Sequence, residues 1–220
     1  MKSTRRPVQK KNTSATWWIV GIIAAMAGVA LIVLVSLPQA AQQHALVAGT
    51  SLGDQNAPIL VEEYGDFQCP ACGQFARQTL PQIESKYVSS GKVRFVFHHD
   101  AFIGEESIKA GEASECAGEQ SKFWEYYDTL FANQGGENVG AFSDANLVGF
   151  AQQLQLDTDK FTACLNTGKY RSKVTSDTAD ANARGVTQTP TLFINGQKVI
   201  GALSLQQFEL YIGPLLNAAK

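Results

Sequence analysis

The sequence predicts an α/β domain in which a strand, helix and strand are followed by a helical block and closed by a β-hairpin and a last helix. Three observations carry this. Ile59-Leu60-Val61 is a short apolar run that leads, through Gly65-Asp66, into the helix start Cys69-Pro70. Apolar residues recur at helical spacing from about Glu105 to Arg184. Asn195-Gly196 separates two apolar runs, Thr191–Ile194 and Lys198–Ile200, which is the strongest short hairpin signal a sequence offers.

The N-terminal end has a different character. Five of the 18 basic residues (Lys2, Arg5, Arg6, Lys10 and Lys11) precede the first acidic residue, Asp54, so the rest of the chain carries 13 against 20 acidic ones, about −7. That balance excludes a nucleic-acid partner for the domain. The basic segment, residues 1–16, is followed by the uncharged apolar run 17–37, long enough to cross a bilayer as a helix. Trp17 and Trp18 at its start and the flanking cations predict a cytoplasmic N-terminus, with everything beyond Leu37 on the other side of the membrane. A cleaved signal peptide is the alternative, with small residues at Pro38-Gln39-Ala40, but the apolar stretch exceeds an ordinary signal core. Either way the domain is exported. Residues 38–50, rich in Ala and Gln and without periodicity, are expected to be a linker, and the folded domain to span 51–220.

In that domain the first strand ends at Gly65-Asp66. The helix after it carries an apolar stripe of Phe75, Ala76, Leu80, Ile83 and Tyr87, is expected to kink at Pro81 and ends at Gly91. Val93–His98 is the second strand, parallel to the first because a covering helix joins them. The helical block follows, with stripes through Phe123, Tyr127, Leu130 and Phe131, through Leu147, Phe150, Ala151 and Leu154 after the possible cap Ser143, and through Phe161, Cys164 and Leu165. A further helix turns Tyr170, Val174, Thr178 and Ala181 inward and stops at Gly185. After the hairpin, Ser204 caps a helix that buries Leu205, Phe208, Ile212 and Leu216.

All four cysteines fall in the exported part, where disulfides persist. A Cys-x-x-Cys pair serves metal or redox chemistry, and context decides between them. Cys69 at a helix N-terminus meets unpaired N–H groups and partial positive charge, which favour its thiolate; Cys72, one turn in, is the resolving thiol. A metal site would need further ligands, and His44, His98 and His99 show no finger spacing, so no metal is expected. Cys116 and Cys164, on apolar faces of the helical block, read as a structural disulfide; a second redox pair is the rival reading.

The motif Glu63-Tyr64-Gly65-Asp66-Phe67-Gln68 before Cys69-Pro70-Ala71-Cys72, the segment Cys116–Gln120 with Phe123-Trp124-Glu125, and Thr189-Pro190-Thr191 before the hairpin resemble the DsbA-like thiol-disulfide oxidoreductases, of a membrane-anchored bacterial type. The resemblance implies a thioredoxin fold interrupted by a helical domain at about 101–184, and a cis bond before Pro190. It also implies a proton-accepting role for Glu63 beneath the cysteines; Glu62, the competing position, faces the other way by the alternation of a strand. Catalysis then falls to Cys69, Cys72, Pro190 and Glu63, and client contact to Thr189, Pro70, Ala71 and Phe67. No cofactor is implied. The expected partners are exported cysteine-containing clients and a quinone-linked membrane oxidase. Pro70-Ala71 contains no histidine, so the strongly oxidising character of the best-known family member does not carry over, and a reductase or isomerase is the alternative direction. A metal-binding or client-binding module that keeps only the fold is the alternative of another class.

Overall fold

The computed structural model describes residue 44 and residues 47–218. The expected anchor at 17–37 lies outside the described residues, and among those described no helix is long and apolar enough to cross a membrane.

Six strands form one mixed sheet: β1 (Val47–Ala48), β2 (Ser51–Leu52), β3 (Ile59–Gly65), β4 (Val93–His99), β5 (Thr191–Ile194) and β6 (Gln197–Ile200), in the order β1-β2-β4-β3-β5-β6. Only β3 and β4 run parallel, with Val61 opposite Phe95 and Glu63 opposite Phe97. The remaining pairs are antiparallel. One boundary is corrected. The sheet begins at Val47 rather than beyond residue 50, because β1 and β2 form a two-residue hairpin whose second arm pairs with β4. Strands this short carry no alternation for a sequence to show.

The elements follow from side-chain pattern. β4 alternates strictly, burying Val93, Phe95, Phe97 and His99. The helix that joins β3 to β4 is broken in three: α1 (Pro70–Gln78), α2 (Leu80–Ile83), with Pro81 in its first turn, and a π-helical turn at Glu84–Val88. Proline lacks the N–H that an uninterrupted helix would use there, which places the break at Thr79. Asn195 and Gly196 both have positive φ, 45° and 83°, as the tight β5–β6 turn requires.

The helical insertion comprises α3 (Glu105–Gly118), α4 (Phe123–Ala132), α5 (Asp144–Gln153), α6 (Thr158–Asn166) and α7 (Arg171–Ala183); α8 (Leu205–Ala218) closes the chain. Ser143 stands at the N-cap of α5 without a side-chain cap bond, whereas Ser204 Oγ accepts from Gln207 N before α8. Tyr64, Ala181, Val186 and Phe193 form a small cluster of their own. The main core gathers Phe75, Phe95, Phe97, Trp124, Tyr127 and Phe131 between sheet, α1 and the insertion. Cys116 of α3 and Cys164 of α6 are joined by a disulfide within the insertion.

Segment 44 is pinned from outside the sheet. His44 Nδ1 lies 3.1 Å from Glu84 Oε2 and its Nε2 3.3 Å from Asp128 Oδ2, with the ring against Trp124. Burial alone would lower this imidazole, but bonds to Asp128 and Glu84 outweigh it and raise it to about 9.

Candidate active site

Cys69 is the N-cap of α1, with extended backbone and Pro70 following, so its sulfur stands where the first helical N–H groups are unpaired. Both cysteines are free thiols. Cys69 retains 9% exposure and Cys72 none, so an incoming reagent meets Cys69 first. The Cys69 thiol donates to Thr189 O at 3.4 Å, and the Thr189–Pro190 bond is cis. A hydrogen bond from Cys72 is the largest influence on Cys69; with the Thr189 side chain and the N–H groups of Ala71 and Cys72 it overcomes burial and lowers the thiol to about 6. Cys72 is pushed well above its ordinary range by burial, by Cys69 and by the nearby charge of Glu63. Two thiols one helical turn apart are thus shifted in opposite directions.

Glu63 is fully buried, and Glu62 lies on the other side of the strand, bound to Arg184 and within 3.4 Å of His98. Burial pushes Glu63 up to about 8; the Tyr127 hydroxyl, which donates to its Oε2 at 3.2 Å, opposes this, and Cys69 adds to it. The carboxyl therefore stands near both cysteines, in a range where it can hold or release a proton close to neutral pH.

The turn that presents Cys69 is held from the insertion. Asp66 Oδ1 accepts from Gln68 N and Ser107 Oγ, at 2.8 and 2.6 Å, and its Oδ2 from Phe102 N and Ile103 N, both at 3.1 Å. Gln68 donates to Ser107 Oγ and Asn138 Oδ1 and accepts from Asn138 N. Gln134 Nε2 donates to the carbonyls of Phe67 and Cys69.

Of the expected site residues, Cys69, Cys72, Glu63, Pro70, Ala71, Thr189 and Pro190 are brought to one place. Pro70 is exposed beside a pocket of about 390 Å³ lined also by Gln68, Arg77, Phe131 and Gln134. Phe67 is corrected. It is 1% exposed and packs on Phe97, Tyr127 and Phe131, so it supports the turn from within and cannot meet a client. Among the described residues no group of three His, Cys, Asp or Glu side chains is placed to hold a metal ion.

Tyr127, Asp66, Gln68 and Gln134 were missed as site residues by sequence reasoning. Tyr127 was visible on an apolar stripe, and a buried acid on β3 requires a donor from some covering helix. Nothing in sequence spacing tells which tyrosine supplies it, 64 residues away.

A family model described as thioredoxin matches residues 46–213. The chain is 31% identical over 150 residues to the probable disulfide bond formation protein D of Bacillus cereus, covering 66% of this chain and 69% of that protein. It is 34% identical over 156 residues to the Na(+)/H(+) antiporter NhaA 1 of Salinispora arenicola, covering 70% of this chain but 22% of the antiporter, so it spans under a quarter of that relative's length. The crystal structure of Wolbachia pipientis alpha-DsbA1 superposes with a TM-score of 0.70 at 30% identity, covering 80% of this chain and 94% of that one. Carrying the Cys69-Cys72 pair on a matched fold of this extent, the chain belongs to the thioredoxin family and, within it, to the DsbA-like thiol-disulfide oxidoreductases.

Proposed function

We propose that this protein forms disulfides in exported proteins by exchanging a Cys69–Cys72 disulfide with client dithiols. The observation that carries the reading is the pairing of a partly accessible, thiolate-favouring Cys69 with a fully buried Cys72 beside Glu63. A client thiolate attacks Cys69 Sγ, and the bond to Cys72 breaks. Cys72 leaves with the electron pair and takes a proton from the Glu63 carboxyl. A second client thiolate then attacks the client sulfur of the mixed disulfide, and Cys69 departs as a thiolate. The client loses two electrons and the pair gains them.

An extended client segment would lie along Pro70, Ala71 and the Thr189 backbone beside Cys69, and the pocket that Pro70 lines has room for a neighbouring side chain. The apolar run 17–37 supports an anchor that holds the domain outside the cytoplasm, next to a quinone-linked membrane oxidase as its resetting partner. One observation favours the reverse direction, disulfide reduction or isomerisation. Pro70-Ala71 places no cationic side chain between the cysteines to stabilise the reduced state further.

The test is oxidation of a dithiol peptide and reduction of insulin by the purified protein. Cys69→Ser is expected to abolish both, and Cys72→Ser to accumulate mixed disulfides through Cys69. Trapping through Cys72 in Cys69→Ser would reverse the roles, and no turnover by the wild type would leave a client-binding module.

A further inference from the structure

Glu63 has one hydrogen-bond donor among the described residues, and it comes from the insertion rather than from the sheet. Its cross-strand neighbours, Phe97 on β4 and Leu192 on β5, are apolar. The Tyr127 hydroxyl of α4 reaches Oε2, while Oε1 is buried with no partner among the described residues. Tyr127 is itself fully buried, its ring 4.7 Å from that of Phe131, 4.9 Å from Trp124 and 5.1 Å from Phe97. A ring packed on several sides cannot swing away, so the hydroxyl is fixed before any reaction begins.

We propose that Tyr127 is a positioning residue for proton transfer at Cys72: it holds one oxygen of Glu63 and leaves the other as the site where the proton is carried. The proposal rests on the role given to Glu63 above. The ionisable groups facing Glu63 are Cys69 and Cys72 from α1 and Tyr127 from α4. Burial and the Cys69 charge disfavour the carboxylate, and the Tyr127 hydroxyl is the group that favours it. A buried carboxylate that loses a hydrogen-bond donor becomes harder to ionise, by a factor of about ten or more for a hydrogen bond to a charged group. Glu63 would then be ionised about ten times less often at neutral pH and would accept the Cys72 proton correspondingly more slowly.

The reset direction isolates this step. When the reduced protein meets oxidised glutathione, the Cys69 thiolate attacks one sulfur and releases glutathione thiolate. Cys72 then passes its proton to the Glu63 carboxylate, attacks Cys69 Sγ and expels the second glutathione thiolate. The dithiol is oxidised, and one oxidised glutathione is reduced to two thiols. At saturating oxidised glutathione the second phase no longer depends on reagent concentration, so its rate against pH reads the proton acceptor.

Rapid mixing across pH is the experiment, with the concentration-dependent first phase as internal reference. Tyr127→Phe keeps the ring and removes the hydroxyl. It should shift the acid limb of the second phase up by about one pH unit and slow it about tenfold at pH 7. Glu63→Gln should abolish the limb, and adding Tyr127→Phe to it should change nothing more, which separates action through Glu63 from a packing defect. A normal limb in Tyr127→Phe with the limb lost in Glu63→Gln overturns the Tyr127 role and leaves that of Glu63. So does an additive slowing in the double variant. A normal limb in Glu63→Gln overturns both.

Discussion

The Gln134 carboxamide donates to the Cys69 carbonyl at 2.9 Å and, from the same nitrogen, to that of Phe67 at 2.8 Å. A residue of the insertion thereby fixes the turn that aims the reactive sulfur. Its approach depends on Gly73, where a β-carbon would stand 2.0 Å from Gln134 Oε1.

Gly73→Ala should therefore act on the site more than on stability. Alanine gains about 1 kcal/mol of helix propensity in α1, while displacing Gln134 forfeits bonds worth about 1 kcal/mol each, so the net change in unfolding free energy is small. The Cys69 turn is nevertheless released. Faster amide hydrogen exchange at residues 67–69 with a nearly unchanged melting temperature is the expected outcome, and Gln134→Ala should reproduce it. A large loss of stability in Gly73→Ala with unaltered exchange would show that the clash is relieved elsewhere.

The Cys116–Cys164 disulfide spans 48 residues of sequence and ties α3 to α6, and both sulfurs are buried. Loop-closure entropy assigns such a link about 4 kcal/mol. The double variant Cys116→Ala/Cys164→Ala should melt well below the wild type while oxidising a dithiol peptide at a similar rate at low temperature. Mild reduction should open the Cys69–Cys72 pair first, as mass spectrometry of alkylated protein would show. Loss of peptide oxidation without loss of stability would instead assign this pair to electron relay.

His44 gives the fold a dependence on alkaline pH. Its folded value, about 9, lies above the ordinary 6.5, so its contribution is complete below about pH 6.5 and is lost as pH rises through 9. Wild-type melting temperature should fall between pH 6.5 and 9.5 more steeply than that of His44→Ala, whose own melting temperature is lower at pH 6. Parallel curves for the two proteins would show that the contacts with Glu84 and Asp128 contribute nothing to stability.

Much of this architecture was legible because it rests on local pattern. The apolar run 59–61, the alternation of 93–98, the Asn195-Gly196 turn and the stripes of the helical block each describe one face of one element, and each is found where expected. The cysteine pair was legible for the same reason, since helix start and thiols adjoin in sequence. What was not legible depends on distant partners. Neither Tyr127 with Glu63, Gln134 with Cys69 nor His44 with Asp128 has a periodicity to reveal it. Phe67 was misplaced because a motif fixes its position in sequence but not the direction of its side chain, which the aromatic cluster around Phe97 decides.

The reduction potential follows from which state of the pair is stabilised. A Cys69 thiol lowered to about 6 is mostly ionised at pH 7, which favours the reduced protein and makes its disulfide a better oxidant. Against a thioredoxin-like thiol near 7, the binding polynomials at pH 7 differ by a factor of about 5, or roughly 20 mV for a two-electron couple, and solvent screening reduces this further. Cys72 adds no thiolate of its own, because burial keeps it protonated at that pH. No cation stands in the Pro70-Ala71 dipeptide to widen the gap. The potential should therefore lie above the thioredoxin value of about −270 mV but well below the about −120 mV of the strongest oxidant of this fold. Equilibration with glutathione buffers measures it. A value at or below about −270 mV would assign the protein to reduction or isomerisation, and one near −120 mV would require a stabiliser of the thiolate beyond Cys72 and the N–H groups of the helix start.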